Sequence, residues 1–169
     1  MRRLIVLGLL ALALPTLAQA QVQPQTLTIR GLGDTPVTLD VAALEKLGPS
    51  EVTDSREITA PSGRERIDIV YRGVELAKLL EANGIERLDR HGVRAATVIV
   101  IARDGYRASF SWGELFNTAG GRRVFVITGE NGRPNSAREG AFSLRAFADL
   151  RPGPRHVRDV AELVIELPR

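Results

Sequence analysis

The sequence predicts an α+β domain: mainly β, with a mixed, barrel-like sheet and short helices packed at its edges. Three observations lead there. Apolar residues alternate at period two along several short runs bounded by Gly, Pro, Asn and Asp. Helical spacing is confined to brief stretches near Val41, Val74 and Trp112. The length fits one ordinary domain, and 44% hydrophobic residues are enough to build a core.

The chain opens on Arg2-Arg3, an apolar stretch from Leu4 to Leu14, and the small-residue segment Ala18-Gln19-Ala20. This is the pattern of a cleaved export signal over residues 1–20, leaving a domain over 21–169 that works in the periplasm. The apolar part is roughly a dozen residues where a spanning helix needs about twenty, so no membrane span is expected after cleavage. Loss of Arg2 and Arg3 takes the formal charge from +3 to about +1, which removes the charge argument for nucleic acid.

Thr26 to Arg30 alternates as a half-buried strand, Gly31 to Asp34 turns it, and Val37 to Leu39 closes a hairpin. Asp40 caps a short helix, Val41 to Leu47, which Gly48-Pro49 stops. Two extended segments follow, Glu51 to Ile58 and Ile67 to Tyr71, around the polar loop Ala60 to Arg64. Val74, Leu76, Leu79 and Leu80 give a helix that ends at Asn83-Gly84.

Ala96 to Ala102 is a buried strand joined through Asp104-Gly105 to a return strand carrying Tyr106, Ala108 and Phe110. Ser111 caps a helical turn, Trp112 to Phe116, and Gly120-Gly121 opens a loop. Val124 to Thr128 is a strand ended by a turn at Gly129 to Gly132. Phe142 to Phe147 and Val160 to Leu167 complete the set, separated by the basic turn Arg151 to Arg155.

The absence of cysteine removes disulfides, thiolate metal ligands, iron–sulfur sites and cysteine nucleophiles. His91 and His156 lack metal-ligand spacing, no serine sits in a nucleophile elbow, and Asp104 with Glu139 makes no convincing acid–base pair.

The order of motifs resembles the molybdopterin-binding domain of the sulfite oxidase superfamily over nearly the whole chain after residue 20. The resemblance rests on Gly31 after the opening strand, Leu39-Asp40-Val41-Ala42-Ala43-Leu44 and Tyr71 to Leu80. It continues through Ala102-Arg103-Asp104-Gly105-Tyr106 and Arg138-Glu139-Gly140-Ala141-Phe142 to Arg155-His156-Val157-Arg158-Asp159-Val160. It implies a pterin cofactor with molybdenum held by one cysteine in the segment matching Ser55 to Ser62. Here that segment has none, and Ser55 or Thr59 is no equivalent for a soft thiolate.

Relatives also carry proline and arginine where Ala141 and Ser143 stand, so a pocket arginine is expected to be missing from this strand. Such enzymes leave the cytoplasm folded with cofactor loaded, whereas this leader reads as general secretion of an unfolded chain. The resemblance thus implies a periplasmic, noncatalytic descendant with no catalytic or metal-ligating residue, which takes a small anionic ligand or an exported protein partner. The alternative is a molybdopterin-dependent oxidoreductase with atypical metal ligation.

The resemblance places phosphate contacts around Arg145, Arg151, Arg155, His156 and Arg158, and arginine forks suit oxyanions. Arg72, beside Gly73, is a further candidate for the same cleft, so the ligand-binding set is Arg72, Arg155, His156 and Arg158. The competing reading is solvated charge offset by Asp149, Asp159 and Glu162. Gly120-Gly121-Arg122-Arg123 is either an amide cradle for an anion or a plain loop. Tyr106, Phe110, Trp112 and Phe116 line an aromatic pocket or pack the core.

Overall fold

The computed structural model describes residues 25–151 and 153–168, so the expected leader lies outside the described residues. The strands form two sheets. The first has the order β2-β1-β10-β5-β6: Val37–Leu39, Leu27–Arg30, Val160–Glu166, Thr97–Ala102 and Arg107–Ser111. Within it β1 and β10 run parallel and the other neighbours antiparallel, which makes the sheet mixed.

The second sheet has β3 (Ser50–Ala60), β4 (Gly63–Glu75) and β7 (Val124–Glu130) in antiparallel order. The far edge of β7 is shared by β8 (Arg133–Pro134) near its end and β9 (Ser143–Ala146) near its start. Among the described residues four short α-helices accompany the sheets: α1 (Val41–Glu45), α2 (Leu76–Ala82), α3 (Arg90–Arg94) and α4 (Trp112–Asn117). No helix among the described residues is long and apolar enough to cross a membrane.

β7 is buried on both faces, and this organises the packing. Val124 and Val126 point into the main core with Leu27, Ile29, Val98, Val100, Leu163 and the α2 leucines. Phe125 and Ile127, alternating with them, pack instead against Ile69, Tyr71 and Phe147 in a small second cluster. A continuous apolar run such as Val-Phe-Val-Ile is what a strand buried on both sides requires.

Local chemistry fixes the elements as expected at most points. Asp40 Oδ1 accepts from Ala43 N at 2.7 Å and Ser111 Oγ from Glu114 N at 3.0 Å, capping α1 and α4. Asp104 Oδ1 accepts from Tyr106 N at 2.9 Å, and Gly105 takes the left-handed conformation (φ 88°) that the hairpin turn needs.

Several elements differ from expectation. α2 begins at Leu76 because Val74 and Glu75 still pair with Val126 and Phe125 in the sheet. The loop expected over Ala60 to Arg64 shrinks to a two-residue turn, since pairing runs out to Ala60 with Gly63 and makes one long β3–β4 hairpin. α3 was not anticipated from periodicity; Asp89 caps it, accepting from His91 N and Gly92 N. Tyr106 also stands apart from the other aromatics. It is 46% exposed and donates to Pro154 O at 2.7 Å, while Phe110 is buried in the core and Trp112 and Phe116 stack beside it.

Candidate functional site: an arginine-lined cleft over the second cluster

A cleft of about 820 Å³ opens over the small cluster of Ile69 and Tyr71. Five arginines line it: Arg56, Arg133, Arg138, Arg145 and Arg158. Glu130 and Glu139 are the carboxylates among its walls.

Arg145 is the innermost of these cations. It sits on β9 opposite Phe125, is 8% exposed, and its guanidinium carbon lies 4.5 Å from the centroid of the Tyr71 ring. Its Nε is buried and has no hydrogen-bond partner among the described residues. Burial pushes its pKa below the ordinary arginine value and Arg56 adds repulsion, against the pull of Glu139 and Glu130. The charge nevertheless persists, because guanidinium cannot shed its proton in a protein. A buried cation with an unmade hydrogen bond is costly, and an oxyanion in the cleft would satisfy both its charge and its donor.

Arg56 reaches the cleft from β3. It donates to the Tyr71 hydroxyl and, through Nε, to Asp54 at 2.8 Å. Its guanidinium carbon is 5.5 Å from the Tyr71 ring centroid, so one tyrosine orders two cations. Burial also raises the Tyr71 pKa, against the pull of Arg145 and Arg56, and keeps the phenol neutral.

Glu139 is a further lining residue of the cleft. Its Oε2 lies 2.8 Å from His156 Nε2 and its Oε1 accepts from Arg158 Nε at 2.9 Å. Desolvation pushes its pKa upward, but the His156 hydrogen bond and charge, with Arg158 and Arg145 beside it, hold the carboxyl down to about 2. The backbone fixes this residue as well. Asp159 N donates to Glu139 O at 2.8 Å, and Gly140 turns left-handed (φ 69°) where a Cβ would collide with the Asp159 backbone.

At the rim, Asn131 and Gly132 both take positive φ, the two-residue turn that joins β7 to β8. Asn131 Oδ1 accepts from Val70 N at 3.0 Å, which ties this turn to β4 and sets Arg133 opposite Glu130. Arg133 and Arg138 are exposed there.

Of the residues expected from sequence, Arg158 lines the cleft and His156 supports it through Glu139. Arg72 and Arg155 do not join them. Arg72 follows Tyr71 on β4, so strand alternation turns it away from the cleft, and it pairs with Glu45 of α1. Arg155 is held by Asp149 and Glu114 while lying 4.6 Å from the Phe110 ring centroid, which pins the C-terminal turn to β6 and α4. For Arg155 the offset-charge reading is the one realised; its pKa rises through the Asp149 hydrogen bond against the pull of burial.

Arg151 is exposed and does not line the cleft. The Gly121 and Arg123 amides donate to Thr118 O and Gly120 O, the Gly121 backbone lies close against Leu115 O and Glu114 O, and Arg122 pairs with Glu75 at 3.2 Å. Ser143 stands on β9 where the resemblance places an arginine, and Arg145, two residues beyond it and on the same face, is the arginine that this strand brings to the cleft. Arg56, Arg133 and Arg138 were missed by sequence reasoning. Only the Asn131-Gly132 turn signalled one of them, by placing Arg133 beside β7.

No family model matches the chain, and no curated protein matches it. Among solved structures, it is similar to the sulfane dehydrogenase SoxCD from Paracoccus pantotrophus. The TM-score is 0.61 and the identity 18%, over 85% of this chain and 39% of that chain. The likeness is one of fold. The chain spans about two fifths of the length of that relative.

Proposed function

We propose that this protein is a noncatalytic, exported derivative of the molybdopterin-binding domain, which holds a small anion in the cleft around Arg145. The carrying observation is the buried Arg145 guanidinium with its unpartnered Nε in a wall of further arginines. An unpaired buried cation weakens a fold, so its retention at a cleft points to a ligand that completes it.

A thiolate-held molybdenum centre does not fit the residues present. The chain has no cysteine, and the Ser55 hydroxyl in the matching hairpin donates to Asp68 Oδ1 at 2.5 Å. The side chain of that hairpin segment that enters the cleft is Arg56, and a wall of guanidiniums repels a metal cation. The alternative of a molybdopterin-dependent oxidoreductase with atypical ligation rests on the fold, which many activities share.

Isothermal titration of the purified protein with orthophosphate and sulfate at low ionic strength tests the reading. Saturable binding at one site, weakened at least tenfold in Arg145→Met, is expected. Equal heats in the two proteins overturn the anion cleft. Stoichiometric molybdenum and pterin in protein isolated from its native cells overturn the noncatalytic part.

A further inference from the structure

Resting on that anion-cleft reading, we infer that the natural ligand carries two phosphoryl groups, one held deep by Arg145 and Arg56 and the other at the rim by Arg133 and Arg138. The cleft is far larger than a single oxyanion requires. About 820 Å³ lies within the range of roughly 300–1,000 Å³ that accommodates whole small-molecule ligands.

The charges are also layered. Arg145 is buried, Arg56 and Glu139 are half-buried, and Arg133, Arg138 and Arg158 are exposed at the mouth. Arg56 is matched by Asp54, and Arg158 shares Glu139 with His156. That leaves Arg133, Arg138 and Arg145 without an ion-pair partner among the described residues, against one lining carboxylate, Glu130, in the same condition.

One oxyanion at Arg145 leaves the rim cations idle and facing Glu130 alone. Two phosphoryl groups would give the deep and the rim arginines an oxyanion each, matched to the fork geometry that guanidinium offers to phosphate. Ile69 and Pro134 add apolar surface to the cleft wall.

Inorganic pyrophosphate and orthophosphate, titrated at matched ionic strength, read this directly. Pyrophosphate is expected to bind at least tenfold tighter than orthophosphate. In the doubly substituted Arg133→Ala, Arg138→Ala protein that advantage should fall below threefold, pyrophosphate losing affinity by a larger factor than orthophosphate. Arg64→Ala, at the distant tip of the β3–β4 hairpin, is the control for charge alone and should leave the advantage intact. Both rim residues are exposed, so the double variant keeps its fold, which a thermal melt verifies.

Equal affinity for the two anions overturns the two-site inference and leaves the anion cleft standing. Succinate binding tighter than pyrophosphate overturns the phosphoryl assignment. Failure of every anion to bind overturns the inference together with the reading beneath it.

Discussion

The Arg145 guanidinium lies against the face of Tyr71, 4.5 Å from the ring centroid, with its Nε buried and unpartnered. The aromatic face supplies about 1–2 kcal/mol of cation–π attraction, which offsets only part of the cost of taking the charge out of water. The arrangement is therefore frustrated among the described residues.

Arg145→Met should make the ligand-free protein more stable, by about 1–3 kcal/mol, because a methionine fills the space over Tyr71 without a buried charge. Urea unfolding at neutral pH checks this. In the unsubstituted protein, added phosphate should raise stability; in the variant it should not.

Glu139 ties the fold to pH. A carboxyl held at about 2 in the folded protein, from an ordinary value of 4.5, contributes stability that is fully present above 4.5. That contribution is lost as the pH falls through about 2. Glu139→Gln should lower stability at pH 7 by about 2–3 kcal/mol and flatten the decline between pH 5 and 2, measured by denaturant unfolding across that range.

Gly140→Ala should cost about 2–4 kcal/mol. The residue has φ 69°, and an added Cβ runs into the Asp159 backbone, so the substitution combines left-handed strain with a collision. Because Gly140 follows Glu139, the same variant should also loosen the contact with His156, visible as a shift of the His156 ring resonances in NMR spectra.

Arg155 and Arg72 should separate structure from binding. Arg155→Ala removes two carboxylate partners and a stacking contact, and should destabilise by about 1–3 kcal/mol while leaving phosphate affinity within twofold. Arg72→Ala breaks an exposed pair with Glu45 and should leave phosphate affinity unchanged as well. Titration calorimetry on both variants, beside their thermal melts, checks the separation.

Much of the fold was legible because its signals are local. Asp40, Ser111 and Asp104-Gly105 each act within a few residues of themselves, and each is used as its chemistry suggests. The boundary of α2 was less legible, since sheet pairing of Val74 and Glu75 overrides the helical spacing around them. The site was read only in part. Arg158 and His156 announce themselves in one short motif, whereas Arg56 and Arg145 meet at Tyr71 from strands far apart in sequence. Strand parity decided the remaining case: Tyr71 faces the cleft, so its neighbour Arg72 faces α1.

The most direct measurement is the anomalous difference map of a crystal soaked in selenate, a tetrahedral oxyanion whose heavy atom marks its own position. The account predicts a peak in the cleft with selenate oxygens within hydrogen-bonding distance of the Arg145 guanidinium. Peaks confined to other surfaces of the protein, with the cleft left empty, would contradict it.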